Sequence, residues 1–387
     1  MINTECGIFG LISKDVISSN ICVKGLMDLQ HRGRESFGIS YIKNDKIQCV
    51  KHTNEVFNVL QDISSNRWLG HVRYSTSGNK DEKLKKTQPI ISCNRLGEYA
   101  LAHNGNIPDN VWINIKFDGF EIDKSNSDTQ ILTSFIDYLS NNNSLKWKDI
   151  LELVLLNIPG SYSLTLLTHD GVYMCRDRYA LRPLGYIKDN NNIIISSENW
   201  ALDGEFIDVN AGQILFIDNI LNITEIYKLS ENKIKHCVFE YIYFLRGNST
   251  ADGINANIFR KTLGNVIASQ INKKTPELAN SWKNNAIICG IPTSGIYFGR
   301  AIAETLDLSY QQFITKRPDY PYRTFILKNT TDRLEACKKK FQAEPDLIKN
   351  KIIILVDDSI VRGTTLKYLI KFMGLYEPKE IHFISGS

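Results

Sequence analysis

The chain has little that would tie it to an oxidising compartment, a membrane or a polyanion. Its eight cysteines form no CxxC pair and follow no regular spacing, which argues against a disulfide framework and a zinc site and points to a reduced, cytoplasmic setting. No apolar run is long enough to span a bilayer, and the opening MINTECGIFG lacks the basic and apolar regions of a secretory signal. No membrane role is expected. Charge of neither sign dominates: 46 basic residues stand against 42 acidic ones, and the net +4 is scattered along the sequence. A nucleic acid is therefore not the expected partner, and a small anionic substrate fits better.

At 387 residues the chain exceeds one ordinary core, and two domains are expected. From Cys6 to about Leu229 the texture is strand-rich. GIFGLIS, WLGHVRYS, YALAHNGNI, YSLTLLTHDGVYMC and NNIIISSE are short apolar or β-branched runs separated by Gly, Asn and Asp turns. Two helices interrupt them, one over Ile21 to Leu29 and one over Asp128 to Leu139, the second opened by Ser127 and Asp128 as N-cap residues. Beyond Phe259 helices and strands alternate: FRKTLGNVIASQI, AIICGIP, YFGRAIAETL, KIIILVDD, TTLKYLIKFMG and EIHFIS. That alternation predicts a doubly wound, mainly parallel sheet. The polar stretch SENKIKH, near Ser230 to His236, marks the boundary.

The most specific local signal is IIILVDDSIVRGTT, residues 352–365. A buried strand ends in two acids, and a Gly-Thr-Thr turn opens the next helix, which is where an open α/β sheet binds ligands. Backbone N–H groups of Arg362, Gly363, Thr364 and Thr365, with the hydroxyls of Ser359, Thr364 and Thr365, suit a phosphate at a helix N-terminus. Asp357 and Asp358 suit ribose hydroxyls or a hydrated Mg²⁺. The bland alternative is a strand ending in two solvated acids before a capped helix. In the first half, Cys6 would carry its own general base if its α-amine were freed, because an α-amine titrates near neutral pH and can take the thiol proton. Taken alone, such a cysteine is more simply a small buried hydrophobe.

The surroundings of Cys6 weigh on that choice. LQHRGRESFGI, GHVRYSTSG, LAHNGNI and SDTQILT follow in order, and together they resemble the glutaminase domain of class II, N-terminal-nucleophile amidotransferases. The resemblance makes Cys6 the nucleophile, Arg73 the partner of the glutamine α-carboxylate and Asp128 that of its α-ammonium. It makes Asn104 and the N–H of Gly105 the oxyanion hole. The 352–365 stretch resembles the phosphoribosyl pyrophosphate signature of type I phosphoribosyltransferases. In that fold Gly290 to Gly295 would bind pyrophosphate, and Ser294 would hold Mg²⁺ with Asp357 and Asp358. The order of motifs, with RDRYALRPLGY, SSENWALD, CVFEYIYFLRGNS and DGINANIFRKTLG between them, resembles the glutamine phosphoribosylpyrophosphate amidotransferase family over residues 6 to 385.

The resemblance implies a four-layer αββα N-terminal-nucleophile hydrolase domain of the α+β class over 6–233, followed by an α/β phosphoribosyltransferase domain over 234–387. Residues 1–5 are expected to be a propeptide. Glutamine and phosphoribosyl pyrophosphate are the implied substrates, Mg²⁺ the implied cofactor and a homo-oligomer the expected assembly. A lid over Thr315 to Leu327 would bring Lys316 and Arg323 to the pyrophosphate. The sequence departs from the family at Thr293, which stands where an acid is usual, at Arg34 in place of Gln, and at Gly247 and Asn248 in the Arg-Pro-Asp-Ser segment. It also stops at Ser387, where the family usually continues, so the usual C-terminal extension is expected to be lacking. Cys237 matches the first iron-sulfur ligand of one branch, and with no further ligand in reach no cluster is expected. Two other readings remain open at this point: a paralogue that aminates a different sugar phosphate, and a non-catalytic protein that binds phosphoribosyl pyrophosphate.

Overall fold

A computed structural model of the chain describes residues 6–57, 63–74, 80–114, 117, 119–123, 125–230, 233–283, 285–317, 339–360 and 363–387, the side chains of 80–82, 113–114 and 364–365 excepted. The chain divides into two compact units. The first runs to Cys237 and takes back Thr250–Asp252; the second comprises Val238–Ser249 and Gly253–Ser387.

In the first unit, the strand period of two sends alternate residues of β1 (Cys6–Ser18) to opposite faces. Phe9 and Leu11 pack with Val23 and Leu26 of the helix Asn20–Asp28. Ile8 and Ile12 face the other way, toward Ala100, Ala102, Leu167 and Met174 of a second sheet. The first sheet adds β2 (Ser36–Lys43), β3 (Lys46–Thr53), β4 (Ser64–Arg73), Gly185–Lys188, Asn192–Ser196 and Ile207–Asp208, with β1 in the middle. The second sheet includes β5 (Ile90–Asn94), β6 (Gly97–Asn106), β7 (Ser161–Thr168) and β8 (Gly171–Arg176). Its far face, with Tyr99, Leu101 and Leu164, packs on the helices Asp128–Ser140 and Trp147–Asn157. The layers are therefore helix, sheet, sheet, helix, as the resemblance implied. Each fully buried Ile or Leu in them contributes about 1.5–3 kcal/mol.

The Asp128 helix starts where the sequence placed it, because Ser127 and Gln130 form a capping box. The hairpin of β2 and β3 and the Trp147 helix are not apparent from the sequence pattern. One buried cluster locks this unit's edge. Arg176 donates to Asp252 at 2.8 and 3.0 Å, and Asp208 accepts from the N–H of Asp252 at 2.9 Å. Burial, and then the charge of Asp252, push Asp208 up to about 6. A carboxyl raised in the folded state adds stability below its unfolded value, and that stability is lost as pH rises through the folded one. Asp208→Asn is thus expected to gain roughly 1–3 kcal/mol over the wild type between pH 4 and pH 7. Urea denaturation at the two pH values checks this, and a pH-independent difference would refute it.

In the second unit four parallel strands run in the order Ser309–Tyr310, Ala286–Gly290, Ile352–Asp357, Glu380–Ser385. Ile288, Ile354 and Val356 meet Phe298 and Ile302 on one face, and Cys289, Ile353 and Leu355 meet Leu369 and Phe372 on the other. That two-sided burial explains the near-continuous apolar strands. The strand expected to run through Pro292 ends at Gly290, since proline has no N–H to extend a ladder. The expected Phe259 helix starts earlier, at Ala256, because the Asn255 side chain accepts from Asn257 N and Ile258 N. Among the described residues no helix is long and apolar enough to cross a membrane.

Candidate active site

Cys6 begins β1, where it pairs in register with Arg73 at the end of β4. Its thiol is buried, and burial pushes its pKa up to about 11. A backbone hydrogen bond from Tyr74 and the charges of Arg73 and Arg182 pull the other way, while Asp128 adds to the rise. Arg73 and Asp128 thus converge on Cys6. Arg73 is held by Glu35 at 3.2 Å, and Lys83 meets the other oxygen of Glu35 at 3.2 Å. Asp128, at the start of its helix, accepts from Ile107 N at 3.2 Å and Thr129 N at 2.8 Å.

Asn104 and Gly105 lie near the end of β6. Asn104 is fully buried, and neither polar atom of its amide has a hydrogen-bond partner among the described residues. Such a group costs stability and calls for an explanation. Gly105 fits only without a side chain: a Cβ there would stand 2.0 Å from the carbonyl oxygen of Ser161. The two sheets are tied beside this point by His71 of β4, whose Nε2 lies 3.0 Å from the carbonyl oxygen of His103 on β6. Burial lowers the His71 pKa to about 3, so the ring is neutral and Nε2 donates.

A second set of residues escaped the sequence reading. Arg32, buried at 1%, donates from Nε to the carbonyl oxygen of Cys6 at 2.8 Å and pairs with the buried Glu198 at 2.6 Å. His31 lies 2.7 Å from the same Glu198 oxygen, and Ser197 Oγ accepts from Ile8 N at 3.0 Å. These side chains position the backbone of Cys6. They sit in the HRGRESFG and SSENWALD segments, but the long separation of Arg32 from Glu198 leaves no local pattern to join them.

In the second unit, Asp357 and Asp358 close the Ile352–Asp357 strand. Ser294 donates to Asp358 Oδ2, Ser359 Oγ donates to Asp358 Oδ1 at 2.8 Å, and Asp358 N donates to Asp357 Oδ1 at 2.9 Å. Burial and the neighbouring Asp358 charge hold Asp357 well above the ordinary carboxyl range. Asp358 is raised by burial, against the bonds from Ser294 and Ser359 and the charge of Arg260. Gly363 supplies the left-handed turn, φ 63°, that opens the Thr364–Gly374 helix. Lys316 is exposed on the strand Ile314–Lys316, whereas among the described residues the cation acting on Asp357 is Lys340. Arg260 and Lys340 were not anticipated. Arg323, Arg362 and the lid beyond Arg317 lie outside the described residues, as do the side chains of Thr364 and Thr365.

Comparison with known proteins accounts for both units. Residues 71–204 match the glutamine amidotransferase domain family and residues 259–385 the phosphoribosyl transferase domain family. An amidophosphoribosyltransferase of Methanocaldococcus jannaschii is 32% identical over 412 residues, 98% of this chain and 83% of that protein. The one from Archaeoglobus fulgidus is 31% identical over 99% of this chain and 82% of its own. The solved glutamine phosphoribosylpyrophosphate amidotransferase from B. subtilis, complexed with ADP and GMP, is 28% identical with a TM-score of 0.81, covering 99% of this chain and 82% of that one. Two family domains in one chain and relatives aligned over almost all of it lead to one conclusion: the chain belongs to the amidophosphoribosyltransferase family.

Proposed function

We propose that the chain hydrolyses glutamine at Cys6 and uses the ammonia to displace pyrophosphate from phosphoribosyl pyrophosphate, giving phosphoribosylamine, glutamate and pyrophosphate. The observation that carries this reading is the buried amide of Asn104, without a partner among the described residues, in the unit where Arg73 and Asp128 converge on Cys6. The thiol is protonated at rest, so a base must take its proton, and an α-amine freed at Cys6 by removal of residues 1–5 suits the task. Sulfur attacks the side-chain carbonyl carbon of glutamine, and the developing oxyanion is met by Asn104 Nδ2 and Gly105 N–H. The proton passes to the leaving nitrogen, ammonia departs, and water hydrolyses the thioester to glutamate. Arg73 matches the α-carboxylate as a guanidinium fork, and Asp128 matches the α-ammonium.

Asp357, Asp358 and Ser294 fit a hydrated Mg²⁺, which keeps most of its water and takes one or two carboxylates. Asp357 is raised by burial and by the neighbouring Asp358 charge, and Asp358 by burial, so a divalent cation would relieve both acids. When bound, Mg²⁺ would neutralise charge on the departing pyrophosphate. The N–H groups at 362–365 suit the 5-phosphate, and Lys316 and Arg323 suit the pyrophosphate.

The reading is tested by release of glutamate and pyrophosphate from glutamine, phosphoribosyl pyrophosphate and Mg²⁺, expected one for one. Pyrophosphate that does not keep step with glutamate would contradict it. Asp358→Asn is expected to lower sugar transfer by about 10- to 100-fold while basal glutamine hydrolysis stays within twofold, because its partners are all in the second unit. Equal losses in both half-reactions would count against that separation.

A further inference from the structure

Three elements carry the proposed glutamine groups: β4 with Arg73, β6 with Asn104 and Gly105, and the helix that begins at Asp128. Gln88, at 4% exposure, lies on none of them. Its Oε1 accepts from the backbone N–H of His103 at 2.6 Å, and its Nε2 donates to Thr129 Oγ1 at 3.0 Å. Because a backbone N–H can only donate, the carbonyl end of the Gln88 amide is fixed and its NH₂ end must face Thr129. Thr129 Oγ1 in turn stands 3.0 Å from His103 Nδ1 and 3.4 Å from Asp128 Oδ1. The result is a closed triangle of Gln88, His103 and Thr129. Two of its corners directly adjoin Asn104 and Asp128 in the chain.

Gln88 is itself immobilised. A Cβ on Gly38 of β2 would lie 2.3 Å from the carbonyl oxygen of Gln88, so the two backbones are in close contact. The hydroxyl of the buried Thr87 donates to the carbonyl oxygen of Lys83 at 2.7 Å and stands 2.8 Å from Ser36 Oγ. His103 is 1% exposed, and its Nε2 has no partner among the described residues. Burial lowers its pKa, which favours the neutral ring, and one proton lies between Nδ1 and the Thr129 hydroxyl.

We propose that Gln88 is a positioning residue for glutamine hydrolysis. With Thr129 it fixes the spacing between the oxyanion strand and the helix bearing Asp128, so that the amide and the ammonium of one glutamine are engaged together. This rests on the functional reading above. An error of about 1 Å in such spacing can cost about 100-fold in rate.

Steady-state glutaminase assays on the full chain decide the matter, with ammonia-dependent transfer as the control within the same molecule. Thr129→Val and Gln88→Met are expected to raise the glutamine KM and together with it lower kcat/KM by about 10- to 100-fold. Thr129→Ser, which keeps the hydroxyl, should stay within about threefold, and the double variant should be no worse than Gln88→Met alone. Wild-type kinetics in Thr129→Val and Gln88→Met overturn the proposal, as does a Thr129→Ser as impaired as Thr129→Val. A measurement free of variants covers the case of misfolding: the imidazole ¹⁵N shifts of His103 should report one neutral tautomer at pH 7–8, and averaged tautomers refute the triangle. If the wild type hydrolyses no glutamine, the functional reading falls, while the ¹⁵N result still decides whether the triangle exists.

Discussion

Cys6→Ala is expected to lower glutamine-dependent turnover by at least about 10⁴-fold while ammonia-dependent transfer at high ammonium stays within twofold. Loss of a nucleophile removes the covalent path altogether, and losses of about 10⁶-fold are known where nucleophile and base act as one unit. In the proposed mechanism the second half-reaction uses ammonia and the acids of the second unit, whereas Cys6 lies in the first. Cys6→Ser is the informative companion, because its alcohol gives up a proton far less readily than a thiol. Both activities assayed on one preparation, with the intact mass recorded, give the result. Equal loss of the two activities would mean that the halves are not separable, and full glutamine turnover by a chain retaining Met1 would sink the free-amine base.

The second large effect falls on Asn104. Removing one preorganised oxyanion donor costs about 100- to 1000-fold in turnover. Asn104→Ala should show that loss in kcat for glutamine, with KM changed less than threefold, since the donor is engaged only as negative charge develops. The folded protein should not suffer in proportion. The wild-type amide is buried without a partner among the described residues, so its removal relieves desolvation as well as opening a small void. Asn104→Ala that loses activity and keeps its melting temperature is the expected outcome, and a matched fall in both would make Asn104 a structural residue.

Much of this was legible in the sequence where chemistry follows local order. IIILVDDSIVRGTT reads as strand, acids and helix start because those functions are contiguous, and the Thr364–Gly374 helix has the expected ends. The capping box at Ser127 is legible for the same reason. Arg32, Glu198, Gln88 and Arg260 were not, because their roles depend on which strands and helices lie side by side. Glu198 neutralises Arg32 only once the strand Asn192–Ser196 pairs with β1. Lys340 acts on Asp357 from a segment whose sequence shows only a basic run.

The place of β1 has a consequence for the order of events in synthesis. The strand that bears Cys6 is flanked on one side by β4 and on the other by Asn192–Ser196, with Phe9 opposite Ser196. Such long-range pairing forms slowly, because the loop must close before any contact rewards it. At roughly 5–20 residues per second, the ribosome spends on the order of ten seconds or more between the two strands. Until the later strand arrives, Glu198 cannot hold Arg32, and the carbonyl of Cys6 lacks its fixed partner. On the proposed reading, a nascent chain therefore carries its nucleophile early, while the Arg32 and Glu198 support of the Cys6 backbone is completed only when the last strands of that sheet are laid down.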